Sequence, residues 1–217
     1  MQVVPIFPLG TVLFPGARIP LHVFEPRYRA LVRDCLVGDS HFGVVAIRRG
    51  SDTDPSPDWY RVGTLARIER VVRLPGGRLN LVVAGATRFQ AIHPLEGRPY
   101  LRAEVELVES ARAVAPAPGV ALRLRESYEG YRSSLLAMGV AIPPFWELPA
   151  EPAEPAELSW AVAGHLVLEL RDKQRLLEES DPMSRIGLEL SLLRREALLL
   201  DRQLASRLVG SPAYSLN

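Results

Sequence analysis

Few side chains in this sequence have the types and spacing that catalysis requires. In a Walker-type phosphate loop a lysine follows glycine and reaches the terminal phosphates, but the only lysine, Lys173, lies between Asp172 and Gln174. A serine and lysine peptidase dyad would have to use that same lysine. The sequence therefore predicts neither an ATPase nor a peptidase.

The histidines do not have the spacing of a metal site. His22, His41, His93 and His165 lie 19 or more residues apart, so no two of them have the i, i+4 spacing that places two imidazoles on one ion. No serine has the flanking glycines of a Gly-x-Ser-x-Gly nucleophile elbow. We therefore predict no catalytic, cofactor-binding or metal-binding residues, and a protein that is not an enzyme.

Composition indicates a globular protein. Hydrophobic residues make up 47% and charged residues 24% of the 217 residues, which is typical of folded chains. The only cysteine, Cys35, has no disulfide partner within the chain, so a reducing compartment is expected. The first residues lack the basic segment of a signal peptide, and no apolar stretch approaches the ~20 residues of a membrane span. We expect a cytoplasmic protein without membrane contact.

Residues 1 to 112 have the pattern of strands. From Leu101 to Leu107, apolar and charged residues alternate, as they do in a strand with one buried face. Pro75, Gly76 and Gly77 separate two apolar runs and permit the positive φ angles of a tight turn. The sequence therefore predicts a β-hairpin around this turn.

One helix is predicted among the strands. Pro26 suits a first helical position, and Gly38 can end the helix. The apolar positions between them have helical spacing and are Tyr28, Leu31, Val32, Cys35 and Leu36. Because Cys35 lies on this stripe with no nearby histidine or lysine, we interpret it as a small buried hydrophobe.

The apolar period changes from two residues to about 3.6 after Ala115–Gly119, which marks a domain boundary. Helical spacing runs from Val120 to Met138 and again from Trp160 onwards, and Asp181 before Pro182 predicts the start of the last helix. We predict an α+β chain with a β-rich domain at 1–112, a linker at 113–119, a helical bundle at 120–209 and a tail at 210–217.

The last helix carries one apolar stripe, composed of Ile186, Leu190, Leu193, Ala197, Leu200 and Leu204. A stripe of this width packs on other helices of the same chain or on a partner. We favour packing within the chain.

Several motifs resemble the N-terminal domain of the Lon protease family. The longest comprises FPLGTVLFPG from Phe7 to Gly16 and PLHVFEPRY from Pro20 to Tyr28. Shorter matches are FGV at Phe42–Val44, VGT at Val62–Thr64, GATRF at Gly85–Phe89, and, in the helical part, Lys173, Gln174, Leu176, Leu177, Glu178 and Arg185. The resemblance covers about residues 3 to 205.

The resemblance implies a PUA-like β-barrel with one inserted helix, followed by a C-terminal helical bundle. It also implies a substrate-recognition role, since this region of Lon proteases helps recognise unfolded or tagged polypeptides while downstream domains do the ATP-driven work. We expect the chain to act alone, without those domains, as a non-catalytic protein- or peptide-binding module. An adaptor or chaperone-like accessory in protein quality control would fit, and its partners would be unfolded or tagged polypeptide, or a protease or chaperone.

Four aromatic residues are candidate peptide contacts. Trp59 and Tyr60 end a polar loop that begins at Arg48, and Phe145 and Trp146 lie in a proline-rich stretch. Exposed aromatics provide large contact area at small entropic cost. In the alternative interpretation, Trp59 closes the end of the barrel, and Phe145 and Trp146 hold the proline-rich stretch against the bundle.

RNA binding is the alternative function. PUA-like barrels often bind RNA, and residues 61 to 102 contain eight arginines against two glutamates, Glu69 and Glu96. No RNP-like aromatic motif is present, however, and the net charge of the chain is only +1. Nucleic acid is therefore the weaker expectation for a partner.

Overall fold

The computed structural model describes residues 1–54, 57–109, 119–143, 146, 148 and 154–209. Its strands are β1 (Gln2–Leu9), β2 (Arg18–Val23), β3 (His41–Arg49), β4 (Asp58–Trp59), β5 (Val62–Arg73), β6 (Leu79–Leu95) and β7 (Arg102–Val108). Its helices are α1 (Pro26–Val37), α2 (Val120–Ala137), α3 (Pro155–His165), α4 (Leu170–Glu178) and α5 (Pro182–Val209). The expected mixture of strands first and helices later is confirmed.

The strands pair into one sheet whose ends meet. The order is β1-β7-β6-β5-β3-β4, and a parallel pairing of β1 with β3 closes a ring of five strands. Strand β2 pairs with the first part of β6 outside this ring. The ring agrees with the sequence pattern, while its assignment as a PUA-like barrel stays a prediction.

Two compact units divide the described chain. The first is Met1–Arg112 with Ala163–Ser180, and the second is Ala113–Val162 with Asp181–Asn217. The helical bundle proposed at 120–209 is therefore shared between the units, because α4 belongs with the strands. Most of the proposed linker, 113–118, and the proposed tail, 210–217, lie outside the described residues.

Two hydrophobic clusters lie among the described residues of the first unit. One lies under α1 and includes Phe7, Phe42 and Leu81, and the rings of Phe7 and Tyr28 stack at a centroid distance of 4.2 Å. The other includes Ile6, and Phe89 contributes a fully buried ring to it. Alternate residues of the strands supply both clusters, as the period of two requires.

The local signals around α1 and the hairpin are confirmed. Helix α1 begins at Pro26, and the amide of Gly38 bonds to the carbonyls of Asp34 and Cys35 at its end. Gly76 and Gly77 take positive φ angles of 76° and 73° in the turn between β5 and β6. Strand β6 continues to Leu95, beyond the run that its hydrophobic pattern suggested, because β7 pairs with its second half.

In the second unit, α2 packs on α5. Ile186 and Leu193 of the predicted α5 stripe are buried, whereas Leu198 is 59% exposed. The predicted cap is present, since the Asp181 carboxylate accepts a hydrogen bond from the Ser184 amide at 2.8 Å. That bond lowers the pKa of Asp181.

Helices α3 and α4 form where the sequence suggested one continuous helical stretch. The backbone is extended at Glu169, with ψ of 147°, and α4 starts anew at Leu170. The Gln174 side chain then donates a hydrogen bond to the Val62 carbonyl of β5 at 3.1 Å. This long-range contact explains why α4 belongs with the strands.

Gly85, in the GATRF motif, is required by a close approach of two backbones. Its amide donates to the Ala17 carbonyl at 2.9 Å, and a Cβ at this position would overlap the carbonyl oxygen of Phe14. We expect Gly85→Ala to lower the free energy of unfolding by ~1 to 3 kcal/mol, because overpacking displaces backbone. Urea unfolding measures the loss.

Gly10 provides the matched control for this prediction. It also belongs to a motif, but a Cβ there would have no atom within 4 Å. Gly10→Ala should change stability by less than ~0.5 kcal/mol. Equal losses in both variants would show that the close approach at Gly85 is not the cause.

Candidate functional site

Helix α1 has one buried face and one uncovered end. Tyr28, Leu31, Val32 and Cys35 are buried, as their spacing predicted. The assignment of Leu36 to that face is wrong: Leu36 is 41% exposed, so its position one turn after the buried Val32 is not sufficient to bury it. Its neighbour Val37 is 87% exposed, so two large apolar side chains at the end of α1 face solvent.

Cys35 has the environment of a core residue. Its side chain is 4% exposed, and burial raises the pKa of the thiol to about 12. Little thiolate forms at neutral pH under these conditions. The interpretation as a small buried hydrophobe agrees with the structure.

The uncovered end of α1 forms one wall of a groove. The distal end of the β5–β6 hairpin forms the other wall, and the groove measures about 520 Å³, within the usual size of ligand pockets. Its apolar lining includes Ala30, Leu36, Val37, Val71 and Leu79. We call this space the α1 groove.

Three arginines also line the α1 groove. Arg29 and Arg33 lie one turn apart on α1, and Arg73 lies on β5. No aspartate or glutamate belongs to the described lining. The groove therefore combines an apolar surface with positive charge and has no carboxylate in its described lining.

Arg29 fastens the hairpin turn to α1. Its Nη1 donates a hydrogen bond to the Gly76 carbonyl at 3.2 Å. A Cβ on Gly77 would meet the same Nη1 at 2.6 Å, so a side chain there would displace the guanidinium from the turn. This contact positions Arg29 at one end of the groove.

Arg33 is more loosely held by its neighbour Asp34. Its Nε lies 3.3 Å from the Asp34 carboxylate, and the arginine side chain is 73% exposed. The Tyr100 hydroxyl donates a hydrogen bond to the Asp34 carboxylate at 2.8 Å and lowers its pKa. The Arg98 guanidinium lies 3.5 Å from the same carboxylate. Exposed ion pairs contribute ~0 to 1 kcal/mol, so Arg33 can exchange this partner for a ligand.

A second groove lies beside β2. It also measures about 520 Å³ and is lined by Pro20, Arg70, Val72 and Val82, among others. Strands β5 and β6 form its floor. Along β5, Arg70 and Val72 of this groove alternate with Val71 and Arg73 of the α1 groove. Since side chains along a strand alternate between its faces, the two grooves use opposite faces of the hairpin.

The polar loop before Trp59 is anchored to α1 by Arg27. The guanidinium donates to the Asp54 carbonyl at 2.7 Å and to the Asp52 carbonyl at 2.6 Å, while its Nε bonds Glu25 at 2.9 Å. The first part of this loop is therefore held at the N-terminal end of α1, away from the uncovered C-terminal end.

Trp59 and Tyr60 are half-buried. Trp59 packs against the second hydrophobic cluster, and the guanidinium of Arg61 lies 5.1 Å from its ring centre. The Tyr60 amide donates to the Ala46 carbonyl at 2.9 Å. These contacts support the alternative in which Trp59 closes one end of the strand unit, and a peptide-contact role for either residue stays a prediction.

Of the other two candidate contacts, Trp146 belongs to the second unit. Trp146 is half-buried, and its amide donates to the Pro143 carbonyl at 3.0 Å. Phe145 lies outside the described residues. The role predicted for both stays a prediction.

The arginines of residues 61 to 102 are largely engaged by the protein itself. Arg67 pairs with Glu69 at 3.2 Å, Arg98 with Asp34 at 3.5 Å, and Arg102 donates to the Glu96 carbonyl. Arg88 is buried, with 2% exposure. Arg88 therefore cannot reach a phosphate, and the acceptors of the other three reduce the local excess of positive charge on which the RNA alternative rested, so RNA binding is not favoured.

The described part of the chain contains neither a metal-binding cluster nor a membrane-spanning helix. No group of three histidine, cysteine, aspartate or glutamate side chains is placed to hold a metal ion there. Likewise, no helix among those residues combines the length and apolarity that crossing a membrane requires.

The sequence analysis missed the α1 groove, although two of its signals are local. Arg29 and Arg33 have the i, i+4 spacing of one helix face, and Leu36 and Val37 follow just before the helix ends. The third signal is not local. Only the pairing of β5 with β6 brings Val71, Arg73 and Leu79 to the same place.

Comparison with known proteins gives a consistent result. Residues 3–195 match the family described as the ATP-dependent protease La (LON) substrate-binding domain. Lon protease 2 of Myxococcus xanthus is 34% identical over 96% of the chain, and Lon protease of Anaeromyxobacter dehalogenans is 32% identical over 96%. The chain spans 26% and 25% of the lengths of these two relatives.

Two solved structures have the same fold. A Lon N-terminal domain protein from Xanthomonas campestris superposes with a TM-score of 0.65 at 30% identity, covering 88% of this chain and 98% of that one. The N-terminal domain of a Mycobacterium avium complex Lon protease gives 0.63 at 22% identity, covering 89% and 98%. The second likeness concerns the fold alone.

Proposed function

Because the chain belongs to the family of the Lon substrate-binding domain, we propose that it is a non-catalytic module that binds unfolded polypeptide in the α1 groove. The similarity involves the substrate-binding region and no peptidase or ATPase region of the relatives. A role as an adaptor or chaperone-like accessory, working with a protease or chaperone, belongs to the same proposal.

One observation carries the location of the site. Leu36 and Val37 are 41% and 87% exposed at the mouth of a groove that is already lined by apolar side chains. Exposed apolar surface of this kind marks binding sites on proteins that are otherwise well packed. An unfolded segment offers the apolar side chains that would cover it.

Binding can be measured with fluorescently labelled, chemically unfolded α-lactalbumin. In the double variant Leu36→Ser and Val37→Ser, we expect about tenfold weaker binding, because the lost apolar contact is worth ~1.5 kcal/mol. Both side chains are exposed, so the fold should be unaffected, and circular dichroism checks this.

The matched control is Val72→Ser. Val72 is 40% exposed and lies in the second groove, on the same strand as Val71. Its replacement should leave binding unchanged. A loss in this variant, with normal binding by the Leu36 and Val37 variant, would place the site in the second groove.

A further inference from the structure

The three arginines of the α1 groove differ in how they are held. Arg29 is fixed by the Gly76 carbonyl, and Arg33 shares the Asp34 carboxylate with Tyr100 and Arg98. The guanidinium of Arg73 has no ion pair or hydrogen bond to any part of the chain that the structure describes. Its charge is therefore uncompensated at the wall facing α1.

This arrangement matches a mixed ligand. A guanidinium binds a carboxylate through two parallel hydrogen bonds, and such bonds strengthen beside an apolar surface that excludes water. Leu36, Val37 and Leu79 provide that surface. A purely apolar segment would leave Arg73 without a partner, and a purely acidic one would leave the apolar surface uncovered.

We infer that the α1 groove selects polypeptide segments in which apolar residues are flanked by aspartate or glutamate, an inference that rests on the proposed function. The apolar residues pack against the end of α1, and a flanking carboxylate receives hydrogen bonds from Arg73. Nucleic acid fits less well, because the described lining contains no aromatic side chain on which a base could stack.

Three fluorescent peptides with one shared apolar core test this selection. Aspartate and glutamate flank the core in the first, asparagine and glutamine in the second, and lysine in the third. We expect the acidic peptide to bind the full chain about fivefold more tightly than the neutral one, and the lysine peptide to bind most weakly. Added salt should narrow these differences, because it screens charges at the protein surface.

Arg73→Gln should remove most of the preference for the acidic peptide while leaving the affinity for the neutral peptide unchanged. Arg70→Gln is the matched control, since Arg70 is an exposed arginine of β5 that lines the second groove instead. The control should retain the full preference. An equal loss in both variants would overturn the inference, because the effect would then follow net charge rather than the groove.

The outcomes separate this inference from the proposed function. Equal binding of the acidic and neutral peptides would overturn the charge selection and leave polypeptide binding intact. Failure of all three peptides, together with failure of unfolded α-lactalbumin, would overturn both. A single-stranded RNA oligonucleotide is added as a competitor. If it displaces the acidic peptide at a lower concentration than unlabelled peptide does, the arginines bind nucleic acid instead.

Discussion

Replacing Arg88 with methionine is expected to lower the free energy of unfolding by ~3 to 5 kcal/mol, because hydrogen bonds from a buried charged donor are worth ~1.5 to 3 kcal/mol each. Arg88 is 2% exposed, and its Nη1 donates to the carbonyls of Leu177 at 2.8 Å and Glu179 at 3.3 Å. Its Nη2 lies 3.4 Å from the Ser180 hydroxyl. These acceptors lie at the C-terminal end of α4, where the helix dipole also interacts favourably with a positive charge.

Arg88 therefore connects β6 to α4 within the first unit, and urea unfolding measures what that connection contributes. Arg88→Lys should recover less than half of the loss, because a lysine cannot place two donors in the fork geometry of a guanidinium. The control is Arg67→Met, which removes an ion pair with Glu69 from a side chain that is 57% exposed, and it should cost less than ~1 kcal/mol. A loss at Arg88 as small as at Arg67 would contradict the role assigned to it.

The second large effect is expected at Arg185, in the second unit. Its Nε donates to the Ser159 hydroxyl at 2.7 Å, and that hydroxyl donates to the Glu189 carboxylate at 2.8 Å. The guanidinium also lies 3.4 Å from the ring centre of Trp160. Arg185, Ser159 and Glu189 are fully buried, so this network joins α3 to α5 where water cannot replace a lost partner.

Arg185→Met should cost ~3 to 5 kcal/mol near neutral pH, because it leaves the Glu189 carboxyl buried without its counter-charge. The cost should depend on pH. Burial raises the pKa of Glu189 well above its ordinary value, and loss of the arginine raises it further. Between the unfolded and folded pKa values of Glu189, the folded state retains a proton that the unfolded state releases. The resulting contribution to stability is fully present below the unfolded pKa and is lost as pH rises through the folded pKa.

Unfolding measured from about pH 5 to about pH 8 tests this, since one proton changes stability by at most about 1.4 kcal/mol per pH unit. The extra slope should appear in the upper part of this range: the Arg185→Met protein should still lose stability at pH values where the natural protein has levelled off, because the Glu189 pKa of its folded state is higher. Adding Glu189→Gln removes the ionisable group while keeping an acceptor for Ser159, and it should abolish the extra slope. Parallel pH profiles of the single variant and the natural protein would show that the pKa of Glu189 does not depend on Arg185.

The GATRF motif illustrates why a motif can be found in a sequence while the reasons for its residues remain hidden. Gly85 meets the Phe14 carbonyl, Arg88 holds the end of α4, and Phe89 fills the second hydrophobic cluster. Each partner is distant in the sequence. The motif indicated a family, and the three separate contacts became visible only in the folded chain.

The sequence by itself determined the local elements of this protein. Helix α1 starts at Pro26 and ends before Gly38, Pro75–Gly77 turns the hairpin, and Asp181 caps α5. Proline and glycine restrict or extend the accessible φ angles, and an N-cap bonds to an amide three residues away. All of these preferences act between neighbours, so the order of residues is sufficient to predict them.

The tertiary structure alone decided the α1 groove and the two buried arginine networks. Whether Leu36 is covered depends on where β5 and β6 pass, and whether Arg88 and Arg185 are buried depends on α4 and on α3. Helical and strand periodicity identify a face but not its neighbour, because burial and hydrogen bonding depend on which distant segments meet there. The candidate site therefore results from long-range packing, which places its arginines beside the apolar side chains of the groove.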